Sequence, residues 1–362
     1  MKIRSFECRD FRNYEELSLE FSPGINILYG DNAQGKTNVL EALYLSCTSR
    51  SHRSKKDAEM IRFGADEAHV RTVVEKENIP HRIDIHLKKK GAKGIAIDSV
   101  PVRRASELFG LAHAVFFSPE DLGIVKNGPS ERRRFLDMEL CQIRKAYLQH
   151  LLSYTRVVNQ RNLLLRGALD RPEDLDTLDA WDAQLIRYGT EIIRERRAFI
   201  ERLNEIVGPI HRSLTGGTEE LSLAYEPDVT EEDFFDKLLI SRESDLRVKT
   251  TQCGPHRDDI LFRVGDMDAR RYGSQGQQRS AALSLKLAEI QIVRETVRET
   301  PVLFLDDVLS ELDQRRQSAL LGSIQDIQTL VTCTGLDDFV RNRFPMDRVF
   351  EVKEAKVTLR SS

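Results

Sequence analysis

Apolar and polar positions alternate along residues 2–21 and stop at Pro23-Gly24, a period of two that predicts an antiparallel pair of strands. Ile25-Asn26-Ile27-Leu28-Tyr29 follows as a short buried strand. Residues 38–44 then read as a helix with Val39, Leu40 and Leu43 facing inward. Alternation returns in 69–74 and 82–87, and after a turn at 88–94 the strand 95–97 follows. From Pro119 the period becomes helical. Leu136, Leu140, Ile143, Tyr147, Leu151, Tyr154, Val158 and Leu165 form one stripe, with Arg161 as its polar gap. Asp170-Arg171-Pro172 breaks that stripe. A second runs through Leu178, Trp181, Leu185, Tyr188, Ile192, Phe199, Leu203 and Ile206, and Gly208-Pro209 is expected to end it. The pair predicts an antiparallel helical hairpin. Residues 221–225 read as a strand, 231–239 as a helix, 277–298 as a long helix, and 301–307 and 329–334 as apolar strands. The expectation is an α/β protein: a head assembled from 1–118 and 251–362, with a mainly helical insertion at 119–250.

Composition changes this picture little. With 40% hydrophobic and 31% charged residues, the 362-residue chain has the profile of a globular protein. A net charge of −3 means that any contact with nucleic acid must come from local patches. The five cysteines are scattered and never form a C-x-x-C pair, which argues for a reducing compartment and against a zinc site. No run approaches a membrane span, and the expected location is cytoplasmic, without a membrane partner.

The chemistry concentrates at Gly30-Asp31-Asn32-Ala33-Gln34-Gly35-Lys36-Thr37. It fits G-x-x-x-x-G-K-[ST] between a strand and a helix, the context a phosphate-binding loop requires. Glycines let backbone N–H groups curl around an anion, and the helix start adds its positive dipole end. Lys36 would contact β and γ phosphates, and Thr37 would bind Mg²⁺. The apolar strand Val302-Leu303-Phe304-Leu305-Asp306-Asp307 would bring Asp306 to the same metal, with Asp307 orienting an attacking water. Tyr272-Gly273-Ser274-Gln275-Gly276-Gln277-Gln278-Arg279 opens a helix and makes a second anion-binding start.

Lys88, Lys89, Lys90 and Lys93 crowd one turn; they would meet a DNA backbone or protect a sheet edge. Arg132, Arg133, Arg134, Arg144, Lys145, Arg194, Arg196 and Arg197 read mainly as a solvated surface, with 132–134 the candidate DNA contacts. The Gly-Pro-His-Arg turn at 254–257 reads first as a structural tie between strands.

The order of phosphate loop, glycine-serine helix start, Asp-Asp strand and Ser310-Glu311-Leu312-Asp313 resembles an ABC-type ATPase head (mixed sheet with the phosphate loop, plus an antiparallel β lobe). Asp10-Phe11-Arg12-Asn13-Tyr14 and a phosphate loop followed by Asn38 resemble the SMC-like branch of that class. Three further segments, Ser274-Gln275-Gly276-Gln277-Gln278-Arg279, Cys253-Gly254-Pro255-His256-Arg257-Asp258-Asp259 and Phe117-Ser118-Pro119-Glu120-Asp121-Leu122, are similar to the bacterial RecF family of recombination-repair proteins.

That resemblance implies two protomers sandwiching ATP. Ser274 and Gly276 of one subunit, with Gln275 and Gln277 beside them, would meet the γ phosphate held by Lys36 of the other, and Asp313 would cross the interface. Arg12 and Asn13 would lie near the base and ribose. It further implies an ATP-dependent homodimer that binds duplex DNA beside single-stranded gaps and works with RecO and RecR to load RecA. Three departures stand out. Asp307 replaces the usual catalytic Glu, so hydrolysis should be slow. No His follows the strand ending at Thr334, where Thr332 or Thr334 would contact the γ phosphate. The usual metal-linking Gln is not placed, with 118–122 its candidate region. An SMC-like chromosome or DNA-end ATPase head, a transporter ATPase subunit and a small-molecule phosphotransferase are the competing readings.

Overall fold

The computed structural model describes residues 1–54, 56–167, 172–336 and 346–360. Strands β1 (Lys2–Phe11) and β2 (Tyr14–Glu20) form the expected hairpin, closed by the two residues Arg12-Asn13. Strand β3 (Ile25–Tyr29) is buried throughout and leads to helix α1 (Lys36–Thr48). Strands β4 (Glu67–Lys76), β5 (Ile79–Lys88), β6 (Gly94–Ile97) and β7 (Val100–Pro101) continue the antiparallel lobe, and β8 (Ala114–Phe117) is fully buried.

The middle of the chain holds helices α2 (Leu122–Lys126), α3 (Pro129–Ile143), α4 (Lys145–Gly167) and α5 (Leu178–Thr215). Strand β9 (Leu221–Glu226), helix α6 (Phe234–Val248), strands β10 (Asp259–Val264) and β11 (Met267–Asp268), and helices α7 (Ala269–Tyr272) and α8 (Gln275–Val297) follow. The chain then forms β12 (Val302–Asp306), α9 (Gln314–Ser323), β13 (Thr329–Cys333), β14 (Arg348–Lys353) and β15 (Lys356–Arg360).

These elements divide into two compact units: Met1–Asp121 with Lys286–Ser362, and Leu122–Leu285. The first unit contains two sheets. One has the order β2-β1-β4-β5-β6-β7 and is antiparallel throughout; the other has the order β15-β14-β3-β13-β12-β8. In the second sheet β14, β3, β13, β12 and β8 run parallel, and only β15 is antiparallel. Helix α1 is wedged between the sheets. Val39, Leu40 and Leu43 share one core with Phe6, Val70 and Ile85 of the first sheet and Leu28, Phe304 and Leu330 of the second. A helix so enclosed is held by apolar burial on nearly every face.

In the second unit the hairpin of α4 and α5 is antiparallel, since Arg161 meets Asp182 near one end while Tyr147 meets Arg196 further along. The break expected at Asp170-Arg171 lies outside the described residues. Three expectations are corrected here. Pro209 does not end the second helix; α5 continues to Thr215 and stops at Gly216 in the left-handed conformation. The proline removes one backbone donor, and packing of this helical end against β9 outweighs that loss. The helix expected at 231–239 begins only at Phe234 and extends to Val248. Arg196 and Arg132 are buried, not solvated, and each is ion-paired to aspartate, as is Arg161, the polar gap of the first stripe. The second unit also reaches beyond 250, because β10 pairs with β9 along its whole length.

Among the described residues, no helix is long and apolar enough to cross a membrane.

Candidate functional site

Residues 30–37 turn out of the end of β3 into α1. Gly30 has φ +151° and Gly35 φ +117°, values that side chains rarely tolerate. Space is equally restrictive: a Cβ on Gly30 would lie 2.2 Å from the Val352 carbonyl oxygen, and one on Gly35 would lie 2.7 Å from both the Asn13 amide and the Tyr14 hydroxyl. Asp31, Asn32 and Ala33 are exposed at the tip, while Lys36 is buried. Its ammonium donates to the carbonyl oxygens of Gly30 and Asp31 at 2.6 and 2.8 Å. Gln34 accepts from the Glu354 N–H at 2.5 Å, so the hairpin of β14 and β15 props the loop from behind.

The two sequence motifs meet although 269 residues separate them: Thr37 Oγ1 donates to Asp306 Oδ1 at 2.8 Å. The parallel register explains the meeting, since β12 and β3 flank β13 and all three point the same way. Thr332 Oγ1 donates to the same Asp306 oxygen at 2.7 Å and accepts from the Asp307 N–H at 2.9 Å. Its hydroxyl is therefore committed to the Asp306 carboxylate and the Asp307 backbone. Thr334 lines a small cleft with Gly30, Asp31, Gln34, Lys353 and Arg360. Asp307 holds φ +54°, the left-handed region where a non-glycine residue stores roughly 1–3 kcal/mol of strain. Phe117 pairs with Leu305, so Ser118 follows at the same end of the sheet as Asp306. There the Ser118 N–H and hydroxyl both donate to Asp121.

Around the helix start, Asn13 donates to Gln34 O at 3.0 Å and accepts from Asn38 at 2.7 Å. Arg12 grips Glu41 with two N–H groups, at 2.7 and 2.5 Å, and donates to Glu59 O at 2.6 Å. Arg53 reaches the same carboxylate at 2.8 Å and also contacts Asn38, while Ser51 donates to Glu41 at 2.5 Å. Burial pushes the Glu41 carboxyl up, but the hydrogen bonds from Arg12, Arg53 and Ser51 win and hold it at about 2. Neither Glu41 nor Arg53 was singled out in the sequence. The available signal was a carboxylate inside a helix otherwise buried all round, a position that demands cationic partners.

Ser274 and Gln277 form a reciprocal cap at the start of α8. The Ser274 N–H donates to Gln277 Oε1 at 2.9 Å, and the Gln277 N–H donates to Ser274 Oγ at 3.2 Å. Gln275 is exposed and Gly276 half-buried beside them. Asp313 caps α9, accepting from the Arg316 N–H at 3.0 Å; that hydrogen bond, with the Arg316 charge, holds its carboxyl below the usual range.

The candidate DNA residues fare unequally. Lys88, Lys89 and Lys90 are exposed, as is Arg134. Lys93 is a brace instead: its ammonium donates to Ser49 O at 2.6 Å and Asp57 at 3.1 Å. Arg132 is buried in a two-pronged pair with Asp259, and Arg133 donates to Asp258 O at 2.8 Å. The turn at 254–257 is structural, with His256 bonded to Tyr154 at 2.7 Å and the Pro255 carbonyl accepting from Arg196.

The loop and its surroundings fit a magnesium nucleotide. The glycine cradle admits no Cβ, and the buried Lys36 ammonium points into the loop's own carbonyls. Neighbouring ligands of octahedral Mg²⁺ lie roughly 3 Å apart, which the hydroxyl and carboxylate oxygens of Thr37 and Asp306 match at 2.8 Å.

Residues 2–357 match the RecF/RecN/SMC N terminal domain family. A similar fold occurs in the Smc head domain of Pyrococcus furiosus, with a TM-score of 0.58 at 15% identity, covering 99% of this chain and 96% of that one. The molecule is thus an SMC-type, ABC-like ATPase head. The DNA replication and repair protein RecF of Agathobacter rectalis is 57% identical over 357 residues, 99% of each chain, and that of Lachnoclostridium phytofermentans is 55% identical with the same coverage. The solved recombination mediator protein RecF with ATP, of the RecFOR pathway, superposes with a TM-score of 0.93 at 34% identity, covering 99% of this chain and 97% of that one. The chain belongs to the RecF family.

Proposed function

We propose that this chain is a nucleotide-switched DNA-binding ATPase of recombinational repair. Two copies pair when ATP is bound, grip duplex DNA beside a single-stranded gap, and act with RecO and RecR to load RecA. The observation that carries the reading is the Thr37–Asp306 contact behind a loop that only glycine can form. Relatives similar over the whole chain support the pathway. Lys36 and the loop N–H groups would hold the phosphates, and Thr37 with Asp306 would hold Mg²⁺, which neutralises phosphate charge when bound. Asp307 would orient the attacking water. Its side chain is one methylene shorter than the usual Glu, which suits a slow switch. Ser274 already sits at the positive start of α8, where its hydroxyl would face the partner's γ phosphate. The location that fits is the cytoplasm.

The test is a mobility shift on gapped duplex with and without ATP, run beside sedimentation of the protein alone. ATP should produce both a dimer and tighter gapped-DNA binding, and Lys36→Ala should lose both. Equal DNA affinity and an unchanged monomer in saturating ATP would refute the switch. The short α4–α5 hairpin weighs against the reading as a chromosome tether, which needs a far longer coiled coil.

A further inference from the structure

On the antiparallel lobe, away from the phosphate loop, three side chains with metal-binding atoms converge. His69 on β4 and His86 on β5 are direct cross-strand partners. Their rings stack with centroids 4.1 Å apart and planes 19° from parallel. Glu67 lies two residues from His69, on the same face of β4 by the strand period. Its carboxylate meets His86 Nε2 at 2.8 Å. One ligand atom from each of the three lies within 4.8 Å of the other two.

We propose that Glu67, His69 and His86 form a surface site for one borderline divalent cation of the zinc class. Two imidazoles and a carboxylate are the donor set that such ions take when a fourth position stays open to water. Bonds of about 2.0–2.2 Å to a shared tetrahedral ion would set the donor atoms roughly 3.3 Å apart. The present spacing is thus within reach of side-chain rotation, without backbone movement. The surroundings leave room. On the far side of His86 the partner on β6 is Gly94, and a Cβ there would come no nearer than 3.7 Å. The two strands are already paired from Glu67–Lys88 to Lys76–Ile79, so the ligands are held in register before any ion arrives. A bound ion would replace the Glu67–His86 hydrogen bond and add positive charge next to Lys88.

The experiment uses the full chain with any affinity tag removed, because oligohistidine would mask the signal. Zn²⁺ alone is titrated against a chromophoric chelator, and Co²⁺ is added separately for its d–d absorption. The expected result is one equivalent of Zn²⁺ and a Co²⁺ spectrum of low coordination number. His69→Ala and His86→Ala should each weaken Zn²⁺ binding by more than about ten-fold, since even a lost outer-shell partner costs that much. His81→Ala, whose ring pairs with Asp98 elsewhere on β5, should leave it unchanged. Because the ligands lie at the surface, circular dichroism of each variant should match the parent. No stoichiometric Zn²⁺ in the parent would overturn the proposal. So would parent-like affinity in the double variant His69→Ala/His86→Ala, or equal loss in His81→Ala.

Discussion

Two ion clusters, one in each unit, make an instructive pair. In the helical unit a single Arg161 sits between Asp182 and Asp245, at 2.6 Å from each, with its side chain wholly sealed from solvent. In the head a single Glu41 sits between Arg12 and Arg53, whose side chains remain 18% and 32% exposed. The first cluster is closed and balanced, because Arg242 also meets Asp182 at 2.7 Å, so it holds helices together and offers nothing to a ligand. The second is open and carries surplus positive charge beside the phosphate loop. A buried pair contributes little net stability after desolvation, yet leaving one member alone is costly. What separates a brace from a binding surface is therefore whether charge is left in excess and whether water can reach it.

The largest expected effect tests the closed cluster. Arg161→Met keeps the length of the side chain but strands the buried Asp245 carboxylate and leaves Asp182 to Arg242, and should cost about 3–5 kcal/mol in urea unfolding. A loss under about 1 kcal/mol would mean that the helical unit does not depend on this cluster. The open cluster is probed by acid. Glu41 has its carboxyl depressed in the folded state from 4.5 to about 2, so its stabilisation is complete above the unfolded value. It fades as pH falls from about 4.5 toward 2, a total of about 3 kcal/mol. Glu41→Gln should therefore be less stable than the parent near neutrality, and the gap should narrow in that acid window. A gap that stays constant down to pH 2 would remove the carboxylate from its anchoring role. The smallest effect concerns the lysine turn. Replacing Lys89 and Lys90 by Gln should lower the slope of log affinity against log salt by about 2, if each meets a duplex phosphate. Lys93→Gln should leave the slope alone, because that ammonium is spent on Ser49 and Asp57. An equal change in both variants would erase the distinction between brace and contact.

How much of this was legible in the chain follows the same division. Residues 25–37 could be read because glycine, a β period and a helical period are each local signals. The Thr37–Asp306 meeting could be read because both motifs belong to one kind of sheet. Arg161, Arg196 and Arg132 could not. Periodicity placed Arg161 on the apolar stripe but named no partner for it and left Arg196 and Arg132 on the polar side, and the aspartates that bury these lie 21 to 127 residues away. Pro209 misled for a related reason, since a local helix breaker was judged without the strand that packs against that turn. Thr332 was read, as an alternative to Thr334, as facing the γ phosphate, whereas its hydroxyl holds the Asp306 carboxylate and the Asp307 N–H.

The strand that carries the phosphate loop has β13 and β14 as its two neighbours, and both come from residues 329–353. The Val352 carbonyl and the Glu354 N–H also shape the loop itself. During synthesis, a ribosome making this protein therefore exposes β3 with both edges bare for some three hundred codons. The nucleotide cradle can close only once residues through Glu354 have been made, so a nascent chain stalled or truncated before them would emerge as an aggregation-prone fragment, not as a smaller working head.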